Sequence, residues 1–143
     1  MKAVDTNVLV YSEMVTSPFH AKARELLVSL AEGPEPWAIP WPCAYEFLKV
    51  VTHPRIYKPP MPPDRARADL RAVLASPSVL LLAETPRHAE VMEDVLSESG
   101  ATGNHVHDAH IAALCQEHGI DELLTADSDF HRFTGFRVTN PFR

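Results

Sequence analysis

Four aspartates stand where chain-distant segments could bring them to one ion. Asp5 closes the apolar run MKAV, Asp108 lies within VHDAH, and Asp127 and Asp129 follow LLTA. Carboxylates are hard oxygen ligands and suit Mg²⁺ or Mn²⁺, which keep several waters and take only one or two carboxylates each. A metal-bound water is a better nucleophile at neutral pH, and a metal beside the leaving oxygen stabilises its developing charge; together these drive hydrolysis. Each acid also has a plain structural reading. Asp5 could form an Asx turn, Asp108 could cap a helix, and Asp127 or Asp129 could cap the turn at Phe130. Caps, however, have no reason to gather at one edge of a sheet.

Short apolar runs alternate with helical stretches along the chain. Residues 1–4 read as a strand ending at Asp5; Asn7 to Tyr11 continue the apolar character, with Thr6 and Asn7 as turn or cap residues. Residues 20–31 carry Ala23, Leu26, Leu27 and Leu30 at helical spacing. Residues 37–39 form a brief strand between prolines, and Pro42 opens a helix to about Val51 with the stripe Ala44, Phe47, Leu48 and Val51. The proline-laden residues 53–63 make a stiff loop. Residues 64–75 are helical, 79–82 a strand, 87–99 a helix, and 106–118 a helix closed by Gly119. Leu123 and Leu124 run as a strand into TADSDF, and 137–139 form a last short strand. Helices between strands, without hairpin signals, imply crossovers and a parallel sheet. In such α/β sheets ligands bind beyond the carboxyl ends of the strands. Asp5, Asp108 and Asp127 or Asp129 converge on that edge. Glu46, at about 100° per residue, falls opposite the apolar stripe of its helix, as a solvated residue or one lining a cleft would.

A chain of 143 residues, 45% hydrophobic and 22% charged, suits one globular domain, residues 1–143, with a real core. Thirteen Lys and Arg against nineteen Asp and Glu give a net charge of −6, which argues against nucleic-acid binding by bulk electrostatics. A nuclease with acids concentrated at metal ions is not excluded by that balance. Cys43 and Cys115 lack CxxC spacing and imply no disulfide framework. No apolar run approaches the ~20 residues of a membrane span. The acid at position 5 interrupts any export signal, so we expect a cytoplasmic protein.

VDTNVLVY at the start, Glu46 in AYEFLKVVTHPR, VHDAHIAAL and LLTADSDF resemble the four acidic motifs of PIN-domain ribonucleases, and more closely those of VapC-type toxins of bacterial toxin–antitoxin pairs. The ending RVTNPFR suits that group, and the match runs from Asp5 to Asn140. The resemblance implies a three-layer α/β PIN fold with a short parallel sheet flanked by helices. It implies metal-site acids at Asp5, Glu46, Asp108 and Asp127, with Asp129 as a further contributor, and supporting polar residues at Thr6, Asn7 and Thr125. It also implies Mg²⁺ or Mn²⁺, an RNA phosphodiester as substrate, a cognate antitoxin protein and a homodimer.

Two other function classes stand beside this one. HVHDAH nearly spells the HxHxDH of zinc hydrolases, with the aspartate one place early. His107 and His110, three apart, could share a helix face and bind zinc, with His105 nearby. The plainer reading is locally hydrogen-bonded or solvated histidines. The second class is a non-catalytic module that binds RNA or protein. Trp37 and Trp41 read first as packing residues, and Cys43 and Cys115 as buried apolar ones. Arg55, Tyr57 and Lys58 give the stiff loop the mix of charge and aromatic surface that grips RNA.

Overall fold

Five short strands and six helices alternate along the chain in a computed structural model that describes residues 1–143. The elements are β1 (Lys2–Val4), α1 (Thr6–Glu13), α2 (His20–Glu32), β2 (Trp37–Pro40), α3 (Trp41–Val51), α4 (Pro63–Leu74), β3 (Val79–Leu82), α5 (His88–Ser99), α6 (His105–Glu117), β4 (Glu122–Leu124) and β5 (Arg137–Thr139). All strands pair in parallel in the order β3-β2-β1-β4-β5. This is the α/β architecture that the helix-separated strands predict, a central parallel sheet with flanking helices.

The central strands are the most deeply buried of the sheet. β2 is buried throughout, and Ala3, Val4, Leu123 and Leu124 are buried in β1 and β4. β3 is an edge strand and leaves Leu80 exposed. One contiguous core joins the sheet to Ala44, Phe47 and Val51 of α3 and to Ile111, Ala112 and Leu114 of α6. Trp37 lies in this core, whereas Trp41 stands exposed beside Tyr45, their rings 6.3 Å apart. α5 packs on α6, α1 packs on α2 and α3, and α3 meets α6. No helix is long and apolar enough to cross a membrane.

Most boundaries fall within a residue of expectation, and two differences bear on the acids. Thr6 and Asn7 are not turn residues but the first turn of α1, and Asp5 is its N-cap. α6 begins at His105, one residue early, which brings His105 onto the helix that carries Asp108. Gly119 follows α6 with φ +64°, the left-handed conformation that glycine adopts without steric cost.

The strand order reverses direction at β1, whose neighbours are β2 on one side and β4 on the other. Crossovers leave this point in opposite senses, and a crevice opens beyond the carboxyl ends of β1 and β4. Asp5 follows β1 directly, and Thr125 and Asp127 follow β4.

Candidate active site

Asp5 is the most constrained acid in the molecule. Its Oδ1 accepts from Thr6 N–H at 2.7 Å and from the Cys43 thiol at 3.5 Å. Its Oδ2 accepts from Thr125 Oγ1 at 2.7 Å and from Asn7 Nδ2 at 3.1 Å. The residue is 5% exposed. Burial raises its carboxyl above the ordinary aspartate range, against the lowering effect of the Thr125, Thr6 and Cys43 bonds. Burial also holds the Cys43 thiol well above its usual value, with the Asp5 charge adding to the effect, so Cys43 stays a neutral donor.

Asn7 ties the two strand ends together. Its Nδ2 reaches Thr125 Oγ1 at 3.0 Å, and its Oδ1 accepts from Ala126 N–H at 3.0 Å. Thr125 Oγ1 in turn accepts from Asp127 N–H at 3.0 Å, which sets the start of the TADSDF turn. Asp127 caps a 3₁₀ turn over Ser128–Arg132 by accepting from Asp129 N–H at 2.9 Å. The capping reading of Asp127 is therefore correct, Asp5 is a helix N-cap where an Asx turn was the plain expectation, and both acids also line the crevice. Asp108 caps nothing: it sits in the first turn of α6, where a negative charge is favoured by the helix N-terminus.

Glu46 reaches the crevice from α3. Its Oε2 accepts from Thr6 Oγ1 at 3.0 Å and lies 2.9 Å from His107 Nε2. The His107 bond holds the Glu46 carboxyl below the glutamate range, and the Glu46 bond holds the His107 imidazole above its own. Burial raises Asp108, opposed by a bond from His105 Nδ1 at 3.4 Å and reinforced by the charge of Asp127.

Asp5, Glu46, Asp108 and Asp127 line one cavity of about 300 Å³, together with Thr6 and Asn7. A second cavity of about 770 Å³ adjoins it, sharing Glu46, Asp108 and Asp127 and adding Asp129, His105 and Lys49. Asp129 is thus an outer residue, with its Oδ2 3.9 Å from His105 Nδ1. Arg55 and Lys58 are exposed and line neither acidic cavity; their loop meets the inner one through Ile56. The basic residue at the acids is Lys49, one turn along α3 from Glu46, which the sequence reading passed over although its i, i+3 spacing places both on one face.

The zinc reading of HVHDAH meets a geometric objection. His105, His107 and His110 turn to three different carboxylates: Asp108, Glu46 and Glu84. His107 and His110 do not converge on a shared ion. The inner cavity is lined by four carboxylates and no histidine, a set that fits a hard divalent cation, and His105 joins Asp108 and Asp129 at its outer side.

Known proteins carry the same arrangement of chain and fold. The PIN domain model matches residues 2–135. Ribonuclease VapC48 of Mycobacterium tuberculosis is 36% identical over 138 residues, spanning 96% of this chain and 95% of that protein. VapC20 of Mycobacterium tuberculosis, described as a sarcin–ricin loop cleaving toxin, superposes with a TM-score of 0.69 at 20% identity over 96% of this chain and 99% of its own. A toxin–antitoxin complex from Klebsiella pneumoniae superposes with a TM-score of 0.64 at 20% identity over 99% of this chain and 98% of its own. At such identities the two structures speak for the fold, and the sequence relative and the domain match speak for the family. The chain belongs to the PIN-domain family, among its VapC ribonucleases.

Proposed function

We propose that this protein is a metal-dependent endoribonuclease that hydrolyses RNA phosphodiester bonds, and that it is the toxin of a toxin–antitoxin pair. The observation that carries the reading is the meeting of Asp5, Glu46, Asp108 and Asp127 in one cavity at the reversal point of the sheet. Asp5, Asp108, Asp127 and Glu46 would hold Mg²⁺ or Mn²⁺, with Asp129 at the outer margin. Once bound, such an ion supplies the charge that makes a water nucleophilic at neutral pH and stabilises the leaving oxygen.

The chain's own residues orient that centre. Thr6, Asn7, Thr125 and Cys43 present only donors to Asp5, so both of its oxygens are fixed as acceptors before any ion arrives. Thr6 and His107 fix Glu46 in the same way from the opposite wall. Lys49 stands where an RNA phosphate would enter, and Arg55 and Lys58 lie further out as contacts to the flanking backbone. The protein acts on RNA in the cytoplasm as a homodimer, and a cognate antitoxin covers the acidic cavities.

RNA cleavage by the pure protein tests this. Cleavage that EDTA abolishes, that Mg²⁺ or Mn²⁺ restores, and that Asp5→Asn eliminates is the expected result. RNA bound but uncut under all these conditions would make the protein a binding module instead.

A further inference from the structure

A second group of metal-ligating side chains meets α6 at His110, two residues beyond Asp108, in a cavity that shares only His107 with the acidic crevice. Glu84 in the turn after β3, His88 at the start of α5 and His110 on α6 each bring one ligand atom within 4.8 Å of the other two. His110 Nε2 is 2.7 Å from Glu84 Oε1, and the two imidazole rings stand 5.5 Å apart at 63°.

The group is braced from behind. Glu117, whose side chain is 0% exposed, accepts from His88 Nδ1 at 2.6 Å and from Thr85 N–H and Oγ1 at 2.9 and 2.8 Å. With Nδ1 committed to a buried carboxylate, Nε2 is the nitrogen His88 has left to offer a metal. A carboxylate behind a histidine is the usual support of a metal-binding imidazole. Two further bonds fix the turn that carries Glu84: Arg87 Nη2 to Glu117 O at 3.2 Å and His118 Nε2 to Ala83 O at 2.7 Å. The three residues open onto a cavity of about 590 Å³ with Met92 and Val106 in its wall.

We propose that Glu84, His88 and His110 bind one borderline divalent transition ion of the Zn²⁺ class, independently of the acidic centre. Two imidazoles and a carboxylate are a zinc donor set, and Mg²⁺, which requires oxygen ligands, is a poor match. Tetrahedral bonds of about 2.0–2.2 Å place ligand atoms roughly 3.3–3.6 Å apart. The His110–Glu84 pair, at 2.7 Å, opens by roughly 0.6–0.9 Å to reach that spacing, and His88 lies within 4.8 Å of both, with the exposed Glu84 free to move. Three protein ligands leave a fourth position open to water. The ion clamps the β3–α5 turn onto α6, the helix that carries Asp108, and its function is to hold that helix in place.

Co²⁺ serves as the spectroscopic probe, titrated into the full-length protein in excess Mg²⁺ so that the carboxylate centre is occupied. One equivalent should give an intense visible band of tetrahedral type, and one equivalent of Zn²⁺ should remove it. His88→Gln and His110→Gln should lose the band. Glu84→Gln, an exposed change that leaves the core intact, should weaken binding about tenfold or more. Asp108→Asn and His107→Gln should keep the band, which separates this site from the active centre. Zn²⁺ should also raise the melting temperature of the wild type more than that of Glu84→Gln. Absence of a saturable band, a band that survives in Glu84→Gln at unchanged affinity, or one lost in Asp108→Asn would overturn the proposal. In the first case the histidines would be hydrogen-bonded surface groups only, in the second the ion would be held without Glu84 and not at the proposed site, and in the third it would sit among the aspartates.

Discussion

His107 reaches from α6 to α3 and sets its Nε2 2.9 Å from Glu46 Oε2, so that one ion pair bridges the two helices that carry Asp108 and Glu46. The pair has a defined pH window. The His107 value is raised above 6.5, so its contribution to stability is complete below that unfolded value and is lost as pH rises through the folded one. The Glu46 value is lowered below 4.5, so its contribution holds above that value and is lost as pH falls through the folded one. Both side chains are partly exposed, and solvent screening keeps the pair at about 0.2–1 kcal/mol. Melting in EDTA should therefore separate wild type from His107→Gln most at about pH 5.5 and converge by about pH 9. A gap that widens with pH would contradict the assigned ion pair.

Asp5 and Asp108 both have raised values, and burial is the leading cause in each. A carboxyl raised on folding stabilises the native state below its unfolded value and loses that contribution as pH climbs through the folded one. At neutral pH the metal-free protein carries the residual cost of desolvating these carboxyls, deep at Asp5 and partial at Asp108. The amide exchange separates them. Asp108 has one long bond from His105, and Asp108→Asn should raise the melting point in EDTA and reduce the gain from Mn²⁺. Asp5 faces donors alone, so an amide nitrogen there would meet Asn7 Nδ2 or Cys43 and lose a bond. Asp5→Asn should melt at or below the wild type, although it too abolishes cleavage. Equal stabilisation by both changes would mean that the donor cage around Asp5 does not hold it.

The parallel sheet and the edge to which the acids gather were legible because helices separate the first four strands and because acids follow closely after β1 and β4. α1 was not legible, for a physical reason. Val8, Leu9 and Val10 are consecutive and all buried, so the helix is covered on several sides and no 3.6-residue stripe appears. Periodicity placed Glu46 away from the core, correctly, but cannot distinguish open solvent from a cleft wall. The donors to Asp5 come from residues as far as 120 positions away, and nothing local to Cys43 or Thr125 announces that pairing.

Asp127 and Asp129 differ in depth. Asp127 lines both acidic cavities, while Asp129 is exposed and lines only the outer one. Asparagine caps about as well as aspartate, so Asp127→Asn should keep the 3₁₀ turn and the fold. Its kcat/KM on RNA with Mn²⁺ should fall by about 100-fold or more, and that of Asp129→Asn by about 10-fold or less. The reverse order would exchange the two assignments.

Lys49 is the lysine lining the acidic crevice, and the net charge of −6 makes a local cation the means of holding phosphate there. Each phosphate neutralised on single-stranded RNA contributes about 0.7 to the slope of log affinity against log salt. Lys49→Ala should lower that slope by about one such contact. The double variant Arg55→Ala, Lys58→Ala should lower it further only if the RNA continues across the loop beyond Ile56. Affinity is to be read across a salt series in the Asp127→Asn background, so that the substrate survives the measurement. Lys49 is exposed and forms no ion pair in the structure, so its loss should leave the melting point unchanged and the effect attributable to RNA. A slope that none of these changes moves would place the RNA path on another face of the protein, and the acidic crevice would then lose its route of entry.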